Sequence, residues 1–197
     1  GYNIVDNDFF KPLSNISETE PFFLASNRFV PRKNLARLIE AYSKYVKSFQ
    51  GAGIRVQGGE GKSIWPLVLL GDGELRGVLE ESCRRFGIPV TTDNLKLNSY
   101  KLKTPAEGGS VVFAGFRQIQ ELPEFYARAG AFIHPALEEP WGLVINEAMA
   151  AGLPVLSSNN VGAAEELVVD GNTGFLFDPE NVDEMPRAMA NISRSEE

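Results

Sequence analysis

Histidine and cysteine each occur once in this chain of 197 residues, as His134 and Cys83. One cysteine cannot build a disulfide framework, and a reducing cytoplasm is the natural setting for such a chain. One histidine cannot form a histidine metal cluster or a Ser-His-Asp triad without neighbours that are not in place. His134, just before Pro135, therefore reads as a site wall or a structural residue. Positive charge is also short. The 19 Lys and Arg residues face 26 Asp and Glu, a net charge of −7, which argues against a nucleic-acid surface while leaving a local basic pocket open. No apolar run approaches the length of a membrane span, and the N-terminus lacks the basic-then-apolar layout of a signal peptide. Contact with a membrane surface is expected only of a longer protein containing this chain.

What is present is an ordinary globular composition, 43% apolar and 23% charged, in a chain long enough for a sizeable core. Short apolar runs alternate with helical patterns. PFFLASN (21–27) reads as a strand. RKNLARLIEAYSKYVKSF follows, with Leu35, Leu38, Ile39, Tyr42, Val46 and Phe49 at helical spacing. Further strands are predicted over 65–71, 111–116, 130–135, 153–158 and in GFLFDP, separated by helices. This βαβα rhythm predicts an α/β fold, a mostly parallel sheet with helices on both faces. Ligands in such sheets sit beyond the carboxyl ends of the strands. Two polar, Gly-rich or mixed stretches break the rhythm, 50–64 and 90–110. Both read as surface insertions, the second with room for a small strand or hairpin.

Several motifs are decoys. GGEGKS (58–63) ends like a phosphate-binding loop, but Val56 stands where that motif needs its first glycine, and Ile-Trp-Pro follows instead of a helix. Gly51-Ala52-Gly53 has neither the third glycine of a dinucleotide fingerprint nor a strand before it. Asp6-Asn7-Asp8 is an acidic turn ahead of the first strand, so no metal site is assigned to it.

The strand ends carry more. After the first strand, Arg28 and Lys33 can neutralise a diphosphate, the guanidinium by forking two oxygens and the ammonium as a point charge. Arg32 between them reads as solvent-facing, and Asn34 as the N-cap of the next helix. Gly71-Asp72-Gly73-Glu74 makes a tight turn after the second strand. EEPWGLVINEAMAAG (138–152) opens a helix at Gly142, so the N–H groups of Gly142, Leu143 and Val144 are free to meet a phosphate. Glu147, one turn in, can accept two hydrogen bonds from a vicinal diol such as a ribose. Glu139 would face the group on the far side of the phosphates. Diol, diphosphate and a second hydroxyl-rich group follow one another in a nucleotide sugar.

With E-P-W-G-L-V-I-N-E from Glu139 to Glu147, the chain resembles the retaining family-4, or group 1, glycosyltransferases and their E-x7-E signature. VVFAGF, the Gly-Asp-Gly turn, Asn27-Arg28 with Lys33-Asn34, EAMAAGLPVLSS and VDGNTGFLFDP stand in the family's order, so the resemblance covers essentially 1–192. It implies the C-terminal, donor-binding half of a GT-B enzyme, a Rossmann-like parallel sheet with helices on both faces. Residues 1–20 would be a lead-in segment after the interdomain link, residues 21–192 the nucleotide-sugar-binding domain, and the N-terminal acceptor domain would be absent. The resemblance implies metal-independent transfer without a cofactor. Arg28 and Lys33 would contact the donor diphosphate, Glu139 the sugar hydroxyls and Glu147 the ribose. Gly142 to Val144 would hold the distal phosphate, Gly71 and Trp141 would help wall the donor, and Phe116, Arg117, Gln118 and Ile119 would meet the base, largely through backbone atoms. The chain departs from the family's commoner pattern in two places. Pro140-Trp141 stiffens and enlarges one wall, and Ala163 narrows a loop more often built of two glycines. The implied partners are a nucleotide-sugar donor and a saccharide or lipid acceptor bound by the missing half.

Overall fold

The computed structural model of the chain describes residues 5–11, 20–50, 64–92 and 109–194. Most of both insertions lies outside these residues, as do GGEGKS and residues 12–19. Seven strands form one sheet: β1 (Phe23–Ser26), β2 (Leu67–Leu70), β3 (Val90–Thr92), β4 (Val111–Gly115), β5 (Ala131–His134), β6 (Val155–Ser158) and β7 (Gly174–Phe177). Every pairing is parallel, and the spatial order is β3-β4-β2-β1-β5-β6-β7. The strands are too apolar to face water on either side. Side-chain alternation sends Phe23, Ala25, Leu67, Leu69, Phe113 and Ile133 to one core, and Leu24, Val68, Leu70, Val112 and Phe132 to the other.

Helices α2 (Leu35–Gln50), α3 (Arg76–Phe86) and α7 (Glu184–Arg194) cover the first face, with Leu38, Tyr42, Tyr45, Leu79, Met185 and Met189 fully buried. Helices α1 (Asn7–Phe10), α4 (Leu122–Arg128), α5 (Leu143–Ala150) and α6 (Gly162–Leu167) cover the second. Each fully buried Phe or Leu removes apolar surface worth about 1.5–3 kcal/mol from water, so the two cores together hold the layers. Among the described residues no helix is long and apolar enough to cross a membrane.

Three local readings change. Residues 90–92, counted with an insertion on sequence grounds, form β3, a parallel edge strand beside β4. Asn34 closes the short helical turn Pro31–Lys33 and leads into α2, but its side chain does not cap α2. It sits in the left-handed region at φ 57° and its amide donates to the Pro179 carbonyl at 2.9 Å; asparagine tolerates that backbone better than most residues. Asp6 accepts from the N–H groups of Asp8 and Phe9, so the acidic turn caps α1.

The order of the sheet also fixes where a ligand would sit. The chain runs outward from β1 to β2 and on to the edge strand β3, comes back to β4, and then crosses over to start the other half at β5. From β1 the chain leads to one side of the sheet and from β5 to the other, so the carboxyl ends of these two neighbouring strands are the switch point of the sheet.

Candidate functional site

Because all strands are parallel, the loops after β1, β2, β4, β5 and β6 emerge on one edge, and every residue singled out at a strand end lies there. The loop after β1 is fixed by backbone bonds to its neighbours. Asn27 donates to Leu70 O at 2.9 Å, Phe29 to Asp72 O at 2.9 Å, and Leu75 to Phe29 O at 3.1 Å. Gly71 makes this possible. Its φ is +126°, and a Cβ there would lie 1.9 Å from the Asn27 carbonyl oxygen. Arg28 rides on this clamp with its side chain exposed, and it forms no ion pair among the described residues.

The loops after β1 and β5 are sewn together. Leu137 N–H donates to Arg32 O at 2.9 Å, and Asn160 Nδ2 donates to Leu137 O at 2.9 Å. Glu139 donates through its N–H to Asn160 O and accepts at its own carbonyl from Gly162, both at 3.1 Å. Its carboxylate Oε2 accepts from Arg32 Nη1 at 2.9 Å and from Lys33 Nζ. The Lys33 and Glu139 side chains are only 12% and 14% exposed. Burial alone would push the Glu139 carboxyl upward, but the Lys33 bond and the Lys33 and Arg32 charges outweigh it and hold the group below the usual glutamate range. Arg32 is thus not simply solvent-facing, as its position in the sequence suggested. Its side chain is half exposed, but its guanidinium joins the site.

His134 lies at the end of β5, fully buried, with neither ring nitrogen hydrogen-bonded among the described residues. Its ring stacks on Phe132, centroids 6.3 Å apart. Burial, helped by the Lys33 charge, pushes its pKa down to about 3, so the imidazole is neutral. It forms a polar but uncharged wall behind the Lys33–Glu139 pair.

Gly142 precedes α5 at φ +93°, and a Cβ there would come within 2.8 Å of Val161 Cγ1. The first bond at this helix start runs from Ile145 N–H to Gly142 O at 2.9 Å, so the Leu143 and Val144 N–H groups precede it. Trp141 is pinned along the helix, donating from Nε1 to Asn146 Oδ1 at 3.1 Å. Glu147 accepts on Oε2 from the Tyr126 hydroxyl at 2.7 Å. Burial raises its pKa, and the Tyr126 bond opposes the rise. Close approach between the loops after β5 and β6 falls to Gly162, where a Cβ would lie 2.4 Å from Pro140 O. Ala163 beside it is buried in the core, and its N–H donates to the Trp141 carbonyl at 2.8 Å.

The loop after β4 divides its residues. Phe116 and Ile119 are exposed, while Arg117 folds inward over the Phe125 ring at 5.7 Å and lies 4.0 Å from Glu121. Gln118 opens a short helical turn in a reciprocal cap with Glu121. The sequence pattern does not reveal the parts played by Arg32 and Tyr126, whereas His134 is the buried wall residue that its place at the end of an apolar strand suggests. Tyr126 carried no signal beyond being an aromatic in ELPEFYARA, where a ring reads as core.

Residues 6–197 match the sequence profile of the family described as glycosyl transferases group 1. The chain is 30% identical over 181 residues to probable sucrose-phosphate synthase 5 of Oryza sativa subsp. japonica, a match covering 88% of this chain and 15% of that protein. Its fold superposes on the C-terminal domain of the group 1 glycosyl transferase LpcC from Francisella tularensis, with TM-score 0.65 and 18% identity, covering 96% of this chain and 93% of that one. Anabaena HepE, solved in complex with UDP and glucose, superposes with TM-score 0.68 and 22% identity over 97% of this chain and 46% of HepE.

Proposed function

The chain belongs to the group 1 glycosyl transferase family, and from that membership we propose that it is the donor-binding domain of a retaining glycosyltransferase. The whole protein would move a sugar from a nucleotide diphosphate to a saccharide, lipid or polysaccharide acceptor in the cytoplasm. The observation that carries this reading is the Arg32–Lys33–Glu139 cluster at the switch point of the sheet. Arg28, Arg32 and Lys33 bring three positive charges there against the one carboxylate of Glu139. The surplus of two suits a diphosphate, whose charge grows as the glycosidic bond to it breaks. Cations fixed in place before that moment stabilise the leaving group without a metal or a cofactor.

In this reading Lys33 and Arg28 hold the diphosphate, and the N–H groups from Gly142 to Val144 hold its distal phosphate. Glu147 takes the ribose hydroxyls and Glu139 the sugar hydroxyls, its Oε2 already aimed by two cations. Phe116, Ile119 and the backbone around them meet the base, with Gly71 and Trp141 shaping the walls. The HepE complex with UDP and glucose supports a nucleotide and a sugar as occupants. The chain spans under half of HepE and a seventh of the rice relative, so acceptor binding is assigned to another part of the whole protein. The isolated chain is expected to bind nucleotide without turnover. Calorimetry with UDP, GDP and ADP tests this. One of them should bind, and Glu147→Ala should cost about 1.5–3 kcal/mol, the worth of a hydrogen bond to a charged group. Binding by none of the three would refute the proposal.

A further inference from the structure

We infer that Tyr126 is a positioning residue that aims Glu147 at the nucleotide ribose, an inference that rests on the donor-site reading above. Tyr126 is fully buried on α4, its ring stacked on Phe132 at 5.5 Å and meeting the edge of Phe10 at 5.4 Å. Phenylalanine would serve that packing equally well. The hydroxyl is the feature the packing does not explain, and burying one costs free energy unless it is bonded. It is bonded to Glu147 Oε2 at 2.7 Å. A carboxylate only accepts, so the phenol donates; burial and the Glu147 charge both raise its pKa well above the usual range and keep it protonated.

The consequence is geometric. Glu147 projects from the second turn of α5, and a free glutamate there would sample several rotamers. The phenol fixes one of them through Oε2 and leaves Oε1 for the ribose. It also favours the ionised carboxylate against the upward push of burial. The side-chain ordering that a diol would otherwise have to impose is thus already present before the nucleotide arrives.

The test uses whichever of UDP, ADP and GDP binds tightest, together with its 2′,3′-dideoxy counterpart. Tyr126→Phe keeps the ring packing and is checked by thermal melting. It should weaken the ribonucleotide by roughly three- to tenfold, the cost of immobilising one rotamer-rich side chain, and leave the dideoxy nucleotide unchanged. In a Glu147→Ala background the same substitution should cost nothing further. If Tyr126→Phe weakens both ligands equally, or neither, while Glu147→Ala still acts selectively on the ribonucleotide, the positioning role is overturned and the ribose role of Glu147 stands. If Glu147→Ala fails to distinguish the two ligands, both fall.

Discussion

Replacing Lys33 by methionine isolates the ion pair at the centre of the site, because methionine keeps an apolar stem where the lysine is only 12% exposed. The substitution leaves the Glu139 carboxylate, 14% exposed, with Arg32 alone on Oε2. Removing one partner of a buried pair costs about 3–5 kcal/mol when nothing replaces it. Here a guanidinium remains on the same oxygen, but the Arg32 side chain is 55% exposed and the pair is partly screened by water. The expected loss is therefore nearer that of one charged hydrogen bond, about 2 kcal/mol at neutral pH. Its pH dependence identifies the cause. Glu139 has its folded pKa held below the ordinary value of 4.5, mainly by Lys33 against the pull of burial. The stabilisation is complete above that ordinary value, begins to fade as the pH falls past it, and is gone below the depressed value. Urea unfolding of both proteins near pH 7 and again near pH 3.5 measures this. The gap between them should narrow in acid. A gap that stays constant, or none at neutral pH, would refute the assignment.

His134→Phe should flatten the acid limb of stability. The wild-type imidazole stays neutral down to about 3 when folded but takes a proton near 6.5 when unfolded, so stability should fall by about 1.4 kcal/mol for each pH unit between those values. Chemical denaturation from pH 6.5 to 5 should show the slope in the wild type and not in the variant. Gly71→Ala should cost at least about 2 kcal/mol, since it adds a Cβ 1.9 Å from Asn27 O at φ +126°. Gly77→Ala in α3, with nothing within 4 Å of its Cβ, should stabilise by up to about 1 kcal/mol; melting curves of the two compare them directly. In the whole protein, Lys33→Ala should depress turnover more than it weakens nucleotide binding, because the charge it neutralises grows as the donor bond breaks.

The parallel sheet and the start of α5 were legible because their signals are local. Apolar runs such as PLVLL between Gly- and Asp-rich turns declare buried strands, and Gly142 before LVINEAMAA declares a helix start. β3 was legible only as room for a small strand or hairpin in a polar stretch, not as a member of the parallel sheet. It has three residues, none of them fully buried, at the head of a polar stretch, and only its partner β4 makes it a strand. Asn34 misled because asparagine suits both an N-cap and a left-handed backbone, and the contact with Pro179 that decides between them lies 145 residues away. Arg32 and Glu139 are 107 residues apart, so no spacing links them. Tyr126 was hidden for a different reason. Its ring obeys the core pattern, and only the hydroxyl departs from it.

A crystal structure of this domain with a bound nucleotide-diphosphate sugar tests the central claim most directly. The ribose should lie on Glu147 Oε1, the diphosphate between Lys33, Arg28 and the N–H groups of Gly142 to Val144, and the sugar against Glu139. A nucleotide seated away from the loops after β1 and β5, or a ribose that leaves Glu147 untouched, would contradict it.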